Sequence, residues 1–386
     1  MRARAPTPPR TRLGATLVLS LASLASLASL VPLACGDSGD GTATDAATAP
    51  SSTGESEGAT TGATTSEATS DGATTGATTD GASCPGQTPE AVMGCVEQPR
   101  YEEDLGFIAD IRVPGSAHWQ AVQDLCADRL SELGFDVTLH DYGLGVNVIG
   151  VRPGSVADGP RVLVTAHYDH IPNCSGADDN ATGVAGILEI ARVLADVPTP
   201  NTLVVACWDQ EEIGLVGSRA YADEAAMTGE PIAAVFNFDM IGVKSDEPNS
   251  QNFPAGFDLL FPDDFAVLEG NEFRADFVFW VSDDGMAAAG AQFEAMAASI
   301  GLPTIGEALS DELKSLPALS DLRRSDHAGF WDQDIPAMFV TDSSNFRYPS
   351  YHCMDGNDDV LENLDHEFAT QVVRATAGAA AVSLGL

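Results

Sequence analysis

From residue 116 onward the apolar residues follow two alternating rhythms. Over 116–133, Trp119, Val122, Leu125, Leu130 and Leu133 recur at helical spacing. Short runs rich in Val and Ile follow at 145–151 and 161–166, the length and composition of buried strands. A helix is predicted over 184–196, with Ile187, Ile190, Ala191 and Leu194 on one face. The alternation continues with a strand at 202–208, a helix at 217–226 and a strand at 233–240. It ends with a strand near 277–281, a helix near 286–300, a strand near 337–341 and a terminal helix near 365–382. Strands that alternate with helices predict an α/β fold: three αβα layers around a mixed, mostly parallel central sheet. Ligands of such sheets bind beyond the carboxyl ends of the strands, so the residues after each strand are the ones to read for chemistry.

Ahead of this pattern the chain changes character. Arg2, Arg4, Arg10 and Arg12 precede an uncharged apolar stretch from about Leu13 to Ala34, the layout of an export signal. Leu33-Ala34-Cys35 resembles the end of a bacterial lipobox, in which Cys35 would be lipidated, although Pro32 departs from the usual Leu. A plain secretory signal or a membrane anchor is the alternative. Residues 36–83 are mostly Gly, Ala, Ser and Thr, with GATT repeated at 58–61, 62–65, 72–75 and 76–79. Such a segment has no means to build a core and reads as a disordered tether that reaches roughly 35–40 Å. The expected organisation is therefore a signal peptide with a lipobox at 1–35, a tether at 36–83 and one catalytic domain at 84–386. That places the protein outside the cytoplasm, as an envelope lipoprotein or a secreted protein.

Charge and cysteine usage narrow the partners. The formal net charge is −39, which repels phosphate backbones and excludes nucleic acid as a partner. Any membrane tether would run through a lipidated Cys35 rather than through surface charge. Beyond Cys35 stand Cys84, Cys95, Cys126, Cys174, Cys207 and Cys353, an even number that suggests disulfides in an exported protein. Cys84 with Cys95 would staple the start of the domain. Cys174 and Cys353 flank candidate site residues and are a second possible pair, while Cys207 sits in an apolar run that equally suits a buried free thiol.

Candidate chemistry gathers after the strands. His167 closes the strand at 161–166, and Asp169 is spaced to accept its second imidazole N–H. Gly176-Ala177-Asp178-Asp179-Asn180 puts paired carboxylates at the opening of a helix, where they would cap it or bridge two cations. Glu211 and Glu212 follow the strand at 202–208; one suits a metal ligand and the other a general base. Asp239 follows the next strand, and Tyr351-His352 lies in the loop after the last. Taken singly, each has a structural explanation. In order, His, Asp, Glu-Glu, Asp and His supply five ligands and one base, a set suited to two zinc ions that share a carboxylate.

These stretches resemble the bacterial two-zinc aminopeptidases, the family that includes leucyl aminopeptidases and is related to glutaminyl cyclases and glutamate carboxypeptidases. The similarity rests on AHYDH (166–170), GADDNATG (176–183), WDQEEIGLVGSRAY (208–221), NFDMIG (237–242), RSDHAGFWDQDIPA (324–337) and YH (351–352). The resemblance implies a zinc exopeptidase-like fold and two zinc ions. One ion would be held by His167 and Asp239 and the other by Glu212 and His352, with Asp179 bridging. It makes Glu211 the general base and Tyr351 the oxyanion donor, and Asp169 would support His167. Ser325-Asp326-His327 would support the site without ligating, and Arg324 would touch substrate. A cis peptide is implied after Asp179. The run Cys353-Met354-Asp355-Gly356 departs from the Thr-Pro that often follows the last His of relatives. The implied reaction is removal of N-terminal residues from peptides with a free α-amine. A glutaminyl cyclase or a carboxypeptidase on the same fold is the alternative, and a non-enzymatic binding module would have lost ligands. Segment 243–275, with Phe253, Phe257, Leu259 and Phe261, either lines the rim or fills core, and core is the expectation.

Overall fold

The computed structural model describes residues 84–386; the leader, Cys35 and the tether lie outside the described residues. Eight strands form one sheet: β1 (Asp136–Asp141), β2 (Val146–Arg152), β3 (Arg161–His167), β4 (Thr202–Trp208), β5 (Ile232–Phe238), β6 (Val278–Asp283), β7 (Thr304–Leu309) and β8 (Ala337–Thr341). Their order is β1-β2-β4-β3-β5-β8-β6-β7. The four central strands, β4, β3, β5 and β8, are parallel neighbours. On one side β2 runs antiparallel to both β4 and β1. On the other, β6 runs antiparallel to β8 and parallel to β7. The expected α/β class and its mixed, mostly parallel sheet are what the structure has.

The sequence of β3, RVLVTAH, shows how the layers arise. Val162, Val164 and Ala166 point into one core cluster and Leu163 into the other. Both faces are covered, so the strand is apolar almost throughout instead of alternating with polar residues. Six helices cover the first face: α1 (Pro89–Gly94), α2 (Gln98–Ile108), α3 (Ala117–Glu132), α4 (Gly183–Leu194), α6 (Ala287–Ser299) and α7 (His366–Ser383). The second face is covered by α5 (Val216–Thr228) and by short helices within 257–270 and 317–331. Local signals set their ends. Ser116 caps α3 by accepting from the Trp119 amide, and Asp365 caps α7 by accepting from Phe368. Gly229 closes α5 in the left-handed conformation that other residues resist.

The sequence pattern did not reveal α1, α2, β1 or β7. β1 has no buried side chain, and Leu139 within it is exposed. An edge strand wet on both faces has no apolar rhythm to detect. In segment 243–275 the core expectation holds for Phe257 and Phe261, which are buried in the second cluster, whereas Leu259 is exposed. Phe253 packs on the same cluster and also lines a cleft described below. No helix among the described residues is long and apolar enough to cross a membrane.

Both expected cysteine pairs are disulfides, Cys84–Cys95 and Cys174–Cys353, and Cys126 and Cys207 are buried free thiols. The second bridge joins residues 179 apart and anchors the loop that follows His352. Closing so long a loop restricts the unfolded chain, so Cys174→Ser is expected to lower stability by roughly 2–5 kcal/mol. Urea unfolding of the variant beside the parent, without reductant, measures this; equal midpoints would show that the bridge contributes nothing.

Candidate metal centre

The four parallel strands bring their carboxyl ends to one edge of the sheet, and the candidate residues sit there in register. His167 ends β3 beside Trp208, the last residue of β4. Asp209 to Glu212 continue from β4, Asp239 follows β5, and the chain after β8 returns as Tyr351-His352. Asp179 lies in the turn Ala177–Thr182 that leads into α4, and the Asp179–Asn180 peptide is cis, as the resemblance implied.

All five expected ligands converge. His167 Nε2 is 3.4 Å from Asp179 Oδ1 and 3.6 Å from Asp239 Oδ1. His352 Nε2 is 3.2 Å from Asp179 Oδ2 and 3.1 Å from Glu212 Oε2. Asp179 thus offers one oxygen to each imidazole. Donors that share one tetrahedral zinc at roughly 2.0–2.1 Å each lie about 3.3 Å apart, so these four spacings suit two adjacent cations. Glu211 Oε2 is farther from His167 Nε2, at 4.0 Å, a distance that suits a group facing the site better than a ligand of that set. The buried Nε2 of His167 has no hydrogen-bond partner, although the carboxylates of Asp179 and Asp239 lie close to it.

Electrostatics point the same way. Burial drives the Glu211 carboxyl well above its ordinary range, and the charges of Asp239, Asp326 and Glu212 add to this against His167. Burial alone would lower both imidazoles. Instead the surrounding carboxylates hold His167 well above 6.5 and bring His352 up to about 10. The pocket is short of positive charge, and a divalent cation at each imidazole would supply it.

Several supporting groups differ from expectation or escaped it. The carboxylate of Asp169 lies 3.5 Å from His167 Nδ1, whose nearer neighbour is the Asp169 carbonyl at 3.3 Å. That carboxylate instead accepts from the Glu211 amide at 3.0 Å and the Glu212 amide at 3.4 Å, so it orders the two glutamates as much as the imidazole. Arg112, unmarked in the sequence, is fully buried and donates to the carbonyls of Ser175, Gly176 and Asp179. Asp359 accepts from the amides of Asp178 and Asp179. His170, the last residue of AHYDH, places Nδ1 2.6 Å from Glu212 Oε1. Nothing in the sequence separates it from the neighbouring loop residues.

Ser325-Asp326-His327 stays behind the site, as expected. Ser325 accepts from Asn237, which accepts in turn from Thr165, so the motif is tied to β5 and β3. His327 bonds the Leu322 carbonyl at 2.8 Å and stacks on Phe339. Tyr351 stacks on His352 and accepts from Arg324 at 3.0 Å; Arg324 also donates to Asn345. Beside these groups opens a cleft lined by Phe253, Phe257, Phe279, Ile305 and Phe339 and by the carboxylates of Asp179, Glu211, Glu212 and Asp239.

Burial pushes His327 down to about 3, so the folded state keeps this imidazole neutral across the range where the unfolded chain takes up a proton. Its contribution to stability is whole above pH ~6.5 and falls by up to about 1.4 kcal/mol per unit as the pH drops from there toward 3. His327→Phe is expected to be less stable than the parent at pH 7, by about 1–3 kcal/mol for the bond lost at Leu322, with the gap closing or reversing at pH 4.5, where the parent has lost up to about 2.7 kcal/mol. Urea midpoints at both pH values, in the presence of chelator, test this. A gap that is constant with pH would assign the acid sensitivity elsewhere.

Comparison with known proteins bears on the family and the fold. Residues 147–263 match the model of peptidase family M28. The uncharacterized protein YfbL of Escherichia coli is 32% identical over 232 residues, 56% of this chain and 65% of that protein. Aminopeptidase YwaD of Bacillus subtilis is 40% identical over 98 residues, 25% of this chain and 22% of that protein. The chain thus spans less than two thirds of either relative. Among solved structures, the Legionella pneumophila LapA aminopeptidase superposes with a TM-score of 0.58 at 18% identity, covering 77% of this chain and 75% of that one. Fimbriiglobus ruber glutaminyl cyclase does so with 0.53 at 16% identity, covering 74% and 95%. At these identities both show the fold alone. Residues 147–263, the stretch similar to peptidase family M28, carry every expected ligand except His352, together with Asp169 and Glu211.

Proposed function

We propose that the chain is a two-zinc aminopeptidase that removes N-terminal residues from peptides with a free α-amine. The observation that carries this reading is the division of Asp179, one oxygen toward His167 and the other toward His352, at spacings of 3.1–3.6 Å in both donor sets. His167 and Asp239 would hold one ion and Glu212 and His352 the other, with Asp179 offering an oxygen to each. Bound there, the ions would act as Lewis acids toward the scissile carbonyl and lower the pKa of water.

The chain's own residues carry the proton traffic. Glu211, with its basicity raised by burial, takes a proton from the attacking water and passes it to the departing amine. Burial also raises the Tyr351 phenol, which therefore keeps its proton at neutral pH. Arg324 donates to the Tyr351 oxygen, so the phenolic O–H remains free to donate to the charge developing on the carbonyl oxygen. The carboxylates on the floor of the cleft attract a substrate ammonium, and its aromatic wall takes an apolar N-terminal side chain. Two disulfides among the described residues support an exported location, with the leader and Cys35 as the tether to the envelope.

Glu211→Gln is expected to lower kcat by about 10²–10⁴-fold while retaining the zinc content of the parent, read by elemental analysis. Unchanged peptidase activity in that variant would remove Glu211 from the mechanism. A substrate panel tests the reaction class. After chelation and return of zinc, Leu- and Phe-peptides are expected to be cleaved faster than Asp- or Lys-peptides, and N-acetylated peptides to be inert. Cyclisation of N-terminal Gln would instead select the cyclase reading, and release of C-terminal residues the carboxypeptidase.

A further inference from the structure

We propose that His170 is a positioning residue for Glu212: its Nδ1–H holds Oε1, so that only Oε2 is presented to the second metal. This rests on the two-zinc reading and assigns a role that the ligand set leaves open. His170, Asp179 and Glu212 lie close enough to form a metal-binding trio by themselves, which would make His170 a ligand. The spacing argues otherwise. His170 Nδ1 and Glu212 Oε1 are 2.6 Å apart, far inside the ~3.3 Å edge between two donors on one zinc and in the range of a charge-assisted hydrogen bond. Glu212 Oε2 lies 3.1 Å from His352 Nε2, close to that edge. One carboxylate therefore has one oxygen committed to His170 and the other turned toward His352.

The imidazole is built to hold that position. His170 is buried, and its backbone amide donates to the Arg112 carbonyl at 3.2 Å. Its ring meets His352 edge-on with centroids 5.9 Å apart. It also packs against Gly176, where a Cβ would fall 2.5 Å from Cδ2; Gly176 itself has a φ of 57°. Nε2 has no hydrogen-bond partner, so Glu212 receives the only side-chain hydrogen bond of this ring among the described residues. Glu212 in turn sits on the loop after β4, where the amide bond that steadies its backbone is long, 3.4 Å to Asp169. Without His170 the carboxylate is free to rotate away or to turn both oxygens inward.

Residues 167–170 then divide their work. His167 faces the first metal, Asp169 orders the backbone of Glu211 and Glu212, and His170 sets the side chain of Glu212. Loss of such a partner typically weakens metal binding by 10–100-fold, and here the loss should fall on one ion of two.

The test is titration of chelator-stripped protein with Zn²⁺ against a chromophoric chelator, together with the visible absorption of the Co²⁺ form. The unaltered protein is expected to take up two ions. His170→Ala is expected to bind one with unchanged affinity and the other 10–100-fold more weakly, with a matching loss of part of the Co²⁺ absorption. Its melting temperature in chelator reports whether it has folded. The Nδ2 of Asn lies where Nδ1 lies on His and donates a hydrogen bond but is a poor zinc ligand, so His170→Asn should regain most of the lost affinity. If Asn behaves like Ala, His170 is a ligand and the proposal fails; equal weakening of both ions, or of neither, overturns it as well. Uptake of a single ion by the unaltered protein would overturn the two-zinc reading and this proposal with it.

Discussion

Five carboxylates, those of Asp169, Asp179, Glu211, Glu212 and Asp239, converge at the ends of β3, β4 and β5 with 10% or less of each side chain exposed. Removing an ionised carboxylate from water costs several kcal/mol, and bringing like charges together adds to that cost. His167, His352 and the buried guanidinium of Arg112 offset part of it. The position of Arg112 is telling: it donates to the backbone carbonyls of the turn that presents Asp179 and not to the Asp179 carboxylate. The turn is thereby held by a fixed charge that leaves the inner oxygens of Asp179 uncovered. The remaining deficit lies inside the pocket, between His167 and His352, where a divalent cation would remove it.

That constraint explains why the site needs this sheet. Parallel neighbours present their carboxyl ends along one edge at the interstrand spacing of about 4.8 Å. β4, β3, β5 and β8 are adjacent in that order, so Glu212, His167 and Asp239 leave neighbouring strands already within reach of one another. The polar backbone at this edge is tied down by its own side chains. Asp169 accepts from Glu211 and Glu212, Asp359 from Asp178 and Asp179, and Asn237 links Thr165 to Ser325. Few of these groups touch the inner face of the site, yet they decide where the ligand oxygens stand.

Much of this architecture was legible in the sequence because buried parallel strands are written as apolar runs. β8 falls at 337–341, as the pattern predicts, and β3, β4 and β5 differ from their predicted bounds by at most two residues. Three of the expected ligands, His167, Glu212 and Asp239, were legible because each closes or closely follows such a run. β1 was not, because no side chain in it is buried, and β7 (TIGEAL) mixes apolar with polar and glycine residues and does not stand out. Arg112 and His170 were missed for a different reason. Their roles depend on contacts to residues 63–67 and 42 positions away, respectively, and no local spacing encodes those distances.

His352 was the ligand with least support in the sequence, since only a two-residue match marks it within an atypical loop. The structure explains how that loop delivers it. His352, Cys353 and Asp355 all adopt positive φ, a conformation unfavourable for non-glycine residues, so the loop has little intrinsic preference for this path. What fixes it lies outside the loop's own backbone. Cys353 is bonded to Cys174, in the segment that follows β3, and Tyr351 stacks on His352 while Arg324 holds the Tyr351 hydroxyl. The relatives' Thr-Pro after this histidine would stiffen the chain locally through the fixed φ of proline. Here a covalent tie joins Cys353, next to His352, to the loop between His170 and Asp179. The path of the loop that carries His352 is thus held by the Cys174–Cys353 bridge and by the contacts of Tyr351 with His352 and Arg324.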